Sequence, residues 1–130
     1  MLTDAVRAVL VVEDEYDQRN LLVETLWNGG YAAFGVSTLG EARAEIDYKL
    51  PLLILMDRRL PDGDGIAFVR ELRANPRTAH IPVLAVTAAA RTGDVDDAFV
   101  AGCDGFLSKP CSTDALLEGV KRLMRSSAKD

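Results

Sequence analysis

Leu52-Leu53-Ile54-Leu55-Met56-Asp57 is the stretch on which the fold turns: an unbroken apolar run that ends directly in a carboxylate. Pro51 precedes it, and Arg58-Arg59-Leu60-Pro61-Asp62-Gly63-Asp64-Gly65 follows with turn chemistry. An apolar run bounded in this way reads as a strand buried on both faces. Such a strand delivers its last residue to the carboxyl edge of the sheet, where ligands of open α/β sheets bind. The spacing therefore places Asp57 at a candidate site, held by a rigid element.

Working outward, four more apolar runs alternate with helical patterns. Ala8–Val12 ends in Glu13-Asp14-Glu15, and Asp17 is positioned to cap a helix reaching about Trp27, with Leu22, Thr25 and Leu26 inward. Asn28-Gly29-Gly30 predicts a left-handed stop. Tyr31–Val36 is a weaker strand, and Ser37 or Thr38 caps a helix bearing Leu39, Ala42 and Ile46. Asp64 caps the helix of Ile66, Val69 and Leu72, which Asn75-Pro76 ends. Ile81–Thr87 finishes in a hydroxyl. Thr92–Ala101 reads as a helix of low intrinsic propensity, because it holds Gly93 and several aspartates. Asp104–Ser108 leads into Lys109-Pro110, and Ser112 or Thr113 caps a last helix with Leu116, Leu117, Val120, Leu123 and Met124 inward. Residues 1–6 read as a loose lead-in and residues 126–130 as a frayed tail.

Five strands alternating with five helices predict an α/β fold, a parallel sheet covered on both faces. The chain of 130 residues fits one domain, 1–130, with a core of about 7–125 and no output domain. A net charge of −5 and the absence of basic runs argue against nucleic acid. No stretch is long enough to span a bilayer, so the expected location is cytoplasmic. Cys103 and Cys111, separated by roughly 26 Å of extended chain, are expected to be free thiols.

The strand ends collect Glu13 and Asp14, Asp57, Thr87 and Lys109, while the second strand offers nothing comparable. That distribution fits a doubly wound (βα)5 domain of flavodoxin-like order, 2-1-3-4-5, with the second strand at an edge. Three carboxylates around one point repel one another. Lys109 offsets one charge, and a divalent cation suited to oxygen ligands, Mg²⁺, would offset the others. With Thr87 as a donor and Asp57 as a nucleophile, the set can accept a phosphoryl group.

Four segments, in order and at these separations, resemble the receiver domain of two-component response regulators, the CheY-like family. They are Val11-Val12-Glu13-Asp14; Leu55-Met56-Asp57 with Leu60-Pro61 and Asp64-Gly65; Pro82–Ala88; and Gly102–Pro110. The resemblance implies that Asp57 takes phosphate from the phosphohistidine of a histidine kinase or phosphotransfer protein. It implies that Asp14 ligates Mg²⁺ directly, Glu13 through water, and that the Arg59 backbone carbonyl completes the protein's share. Thr87 and Phe106 would be switch residues, Lys109 would pair with the phosphate, and the Lys109-Pro110 bond would be cis.

The expected protein is a stand-alone phosphoacceptor switch rather than a conventional enzyme. It would be a monomer or phosphorylation-linked dimer acting on an unidentified protein target, without direct nucleic-acid or membrane contact. Arg59 and Ala89, at the mouth of the site, are expected to set the lifetime of the phosphorylated state. The competing reading for Arg59 is a surface pair with Glu13 or Glu15. Val23 and Trp27 read either as a docking face for the phosphodonor or as packing at the rim. A nucleotide or flavin carrier would need a Gly/Ser/Thr-rich loop where Glu13-Asp14-Glu15 stands. An aspartyl-phosphate hydrolase of the haloacid-dehalogenase type would carry an acid at Arg59. The remaining alternative is a receiver-like adapter that binds partners without phosphorylation.

Overall fold

The computed structural model describes residues 7–128, with the side chains of 127 and 128 excepted. Residues 1–6, 129 and 130, and with them the expected lead-in and the last of the tail, lie outside the described residues. The elements alternate: β1 Val9–Val12, α1 Tyr16–Asn28, β2 Ala33–Val36, α2 Leu39–Tyr48, β3 Leu53–Met56, α3 Gly65–Ala74, β4 Val83–Thr87, α4 Thr92–Ala101, β5 Gly105–Ser108 and α5 Thr113–Ala128. All five strands run parallel in the order β2-β1-β3-β4-β5.

Alternation within the strands divides the core in two. Leu10, Val12, Ile54, Met56, Val83 and Ala85 face α2, α3 and α4. Val9, Val11, Leu53, Leu55, Leu84 and Val86 face α1 and α5. Every residue of β1, β3 and β4 is buried, so these strands lack the polar alternation of a half-exposed sheet. Each buried aliphatic side chain contributes about 1.5–3 kcal/mol relative to exposure. That burial fixes the strand register.

Local signals place the helices, with some corrections. Glu15, rather than Asp17, caps α1, its carboxylate accepting from the Gln18 backbone N–H at 2.6 Å. The helix begins at Tyr16, which puts Asp17 already inside the first turn. Gly29 ends α1 at φ −85°, and the left-handed residue is Gly30 at φ 94°. Thr38 caps α2, Asp64 caps α3 and Ser112 accepts from Ala115 at the start of α5. α5 continues to Ala128, past the point where polarity suggested fraying. Between β3 and α3 the Pro/Gly/Asp turn folds into a small antiparallel hairpin, pairing Arg59-Leu60 with Gly63-Asp64.

Arg73 closes the far end of the sheet. Its guanidinium donates to the carbonyls of Gly102, Ala79 and Ile81 at 2.7–3.1 Å and pairs with Asp104, whose carboxylate also accepts from Val83 N–H. Cys103 is buried and Cys111 half-buried, both free; burial pushes the Cys103 thiol up to about 11.

An acidic cleft at the carboxyl edge of the sheet

The parallel register assembles the site. Val12 pairs with Met56, so Glu13 and Asp57 emerge side by side from neighbouring strands. Asp57 N–H donates to the Val12 carbonyl at 3.2 Å, continuing the ladder one residue past β3. Thr87 is the last residue of β4, and the Lys109 backbone N–H donates to its carbonyl at 3.0 Å. The Lys109-Pro110 bond is cis.

Glu13, Asp14 and Asp57 each present a carboxylate oxygen within 4.8 Å of the others. Glu13 is buried and Asp14 exposed. Lys109 reaches in from the other side and spends its three N–H donors on Glu13, on Asp57 Oδ2 at 2.8 Å and on Gln18 Oε1 at 2.7 Å. Together these groups line an open cleft of about 310 Å³ whose walls include Arg59, Thr87 and Ala89.

The charges set one another. Burial raises the Glu13 carboxyl above the ordinary glutamate value, although Lys109 and the Glu15 N–H pull it back. Burial pushes Asp57 up as well, but Lys109, the Thr87 hydroxyl and the Arg58 N–H outweigh it and hold the group below the usual aspartate value. Burial would lower Lys109, yet the Asp57 and Glu13 carboxylates raise it. Asp57 is thus an anion and Lys109 a cation at neutral pH. One ammonium among three carboxylates leaves a two-charge excess, and hard carboxylate oxygens clustered in this way fit a divalent cation.

Sequence reasoning brought Glu13, Asp14, Asp57, Thr87 and Lys109 together, and they are together. Phe106 lies beside Ala85 on β5, partly buried against the core. Arg59 and Ala89 line the mouth of the cleft, and Arg59 makes no ion pair with Glu13 or Glu15. Gln18 was missed: a glutamine one turn into a helix carries no signal of what it touches. Trp27 is exposed, its indole N–H donating to the Ala33 carbonyl at 3.0 Å, while Val23 packs against the core.

Comparison with known proteins gives one consistent result. Residues 9–121 match the family model described as the response regulator receiver domain. The chain is 40% identical over 102 residues to the KDP operon transcriptional regulatory protein KdpE of Escherichia coli, covering 78% of this chain and 44% of that protein. It is 33% identical over 115 residues to the polar-differentiation response regulator DivK of Brucella ovis, covering 88% of this chain and 94% of that one. Several of the matched curated relatives are about twice as long, so the chain spans about half of their length. Among solved structures, a CheY-like response regulator receiver domain protein from Methanospirillum hungatei superposes with a TM-score of 0.87 at 25% identity, covering 95% of this chain and 98% of that one. No helix among the described residues is long and apolar enough to cross a membrane.

Proposed function

The chain belongs to the response regulator receiver domain family, and from that premise we propose that Asp57 accepts a phosphoryl group from a histidine kinase or phosphotransfer protein. The observation that carries this reading is the Lys109 ammonium set between Asp57 and Glu13 at the carboxyl edge, with Asp14 completing the cluster. Membership of the family implies a histidine kinase as partner. The acceptor residue and the steps below are our reading of the site.

An Asp57 carboxylate oxygen attacks phosphorus, and the phosphorus–nitrogen bond of the donor phosphohistidine breaks. The bonding pair leaves with the imidazole, which takes its proton from solvent. Asp57 enters as an anion because its surroundings hold its pKa low. Lys109 neutralises one oxygen of the arriving group, and the Thr87 hydroxyl donates to another. Glu13, Asp14, Asp57 and the Arg59 carbonyl would hold Mg²⁺, which when bound neutralises phosphoryl oxygens. Thr87 and Phe106 would then carry the change of state to a protein-interaction surface.

Intact mass after incubation with a small-molecule phosphodonor and Mg²⁺ tests the assignment on wild type and Asp57→Asn. One phosphoryl group gained by the wild type alone, and lost when the metal is chelated beforehand, is the expected result. No gain in either protein would leave the phosphorylation-independent adapter as the better reading.

A further inference from the structure

Arg58, the residue after Asp57, turns its side chain away from the acidic cleft. Its guanidinium pairs with Asp64 through Nε at 3.4 Å, with Asp94 through Nη1 at 3.2 Å and with Asp97 through Nη1 at 3.6 Å. Two of these carboxylates already cap helices. Asp64 accepts from Ile66 N–H at the start of α3, and Asp94 accepts from Arg91 N–H at the start of α4. One cation thus joins the first turns of two helices to the residue that follows Asp57. The Arg58 backbone N–H also faces the Asp57 carboxylate.

α4 has few ties of its own. Thr92–Ala101 contains Gly93, and its start is closed by Asp94, the same carboxylate that Arg58 holds. Only Ala98 and Ala101 of its ten residues are buried, so little apolar packing fixes it. The Arg58 and Asp94 side chains are 22% and 28% exposed, which shields that pair more than an ordinary surface pair, whereas Asp64 and Asp97 stand more open to solvent.

We propose that Arg58 is a positioning residue, an electrostatic strap that fixes the N-terminal half of α4 to the Asp57 loop and couples the position of that helix to the state of the site. The coupling rests on the phosphoacceptor reading above; the strap itself does not. A two-state element responds to a site only through contacts that differ between its states, and this network supplies them.

Amide hydrogen exchange, followed by mass spectrometry on the full chain, separates the two parts. Arg58→Gln and the double variant D94N/D97N should each speed exchange across residues 92–98 by about fivefold, with the central strands unchanged and Arg58→Lys intermediate. Wild-type rates at 92–98 in Arg58→Gln would overturn the strap, as would acceleration spread evenly through the sheet. Phosphorylated wild type should show altered exchange at 92–98, and phosphorylated Arg58→Gln a smaller change. Equal changes in both would overturn the coupling. A wild type that takes up no phosphoryl group would sink the phosphoacceptor reading and the coupling with it, leaving the strap to be decided by the exchange rates of the unmodified proteins.

Discussion

The backbone carbonyl of Asp57 occupies the space where a Cβ on Gly65 would have to go. Gly65 N–H donates to the Arg58 carbonyl at 2.7 Å, so the start of α3 is pressed against the loop that carries the acceptor carboxylate. Gly65 has no unusual φ. Glycine is required there by proximity, not by backbone conformation.

Gly65→Ala is therefore expected to destabilise the fold by about 1–3 kcal/mol, because the obstructing atom is backbone and cannot rotate aside. The Met56 side chain, 3.0 Å from the same point, closes the other exit. Chemical denaturation measures the loss, and wild-type stability in this variant would contradict the clash.

Asp62 ties the hairpin to α2, accepting from the backbone N–H groups of Leu39 and Gly40, both at 2.9 Å. These bonds hold its carboxyl below the ordinary 3.8. A depressed folded-state value means stability fully present above the unfolded value and lost as pH falls through the folded one. The advantage of wild type over Asp62→Ala should be constant near neutrality and shrink below about pH 4. Denaturation midpoints of both proteins across that range measure it, and a gap that does not narrow in acid would disprove the linkage.

Magnesium should stabilise the protein in a saturable way, since it relieves the repulsion among Glu13, Asp14 and Asp57. At a concentration 100 times its Kd the gain is about 2.7 kcal/mol, or roughly 10 °C in Tm for a domain of this size. Asp14→Asn removes an exposed carboxylate and should abolish most of the shift without harming the fold. Thermal melts over a magnesium titration test it. An equal shift in Asp14→Asn would move the cation elsewhere.

Arg59 stands at the mouth of the cleft with its side chain exposed and unpaired with Glu13 or Glu15. Shielding of the phosphoryl group is then its expected role, and Arg59→Ala should shorten the phosphorylated lifetime by a factor of about three to ten. The decay of the phosphorylated mass with time is the readout. Decay at the wild-type rate would leave Arg59 an ordinary surface residue.

Apolar runs and helical patterns were enough to name the five strands of the main sheet, the five helices and their order in the chain. Runs such as Leu53–Met56 and Val83–Val86 are apolar throughout, which only a sheet covered on both faces accommodates. The polar residues that terminate them had to meet at one edge once the strands ran parallel. Glu13, Asp57, Thr87 and Lys109 were legible for that reason: each sits at a fixed offset from a strand end. What each side chain holds is fixed only when the elements pack. Gln18 on Lys109, Arg58 on Asp94 and Asp97, and Asp62 on the first turn of α2 are contacts between residues far apart in the chain. Charged and amide side chains are long and reach in several directions, so their partners depend on where other elements pack. Caps follow the same division. Asp64 announced itself and Thr38 stood as one of two candidates beside Ser37, whereas Glu15 displaced Asp17 because α1 begins at Tyr16, which leaves Asp17 inside the first turn.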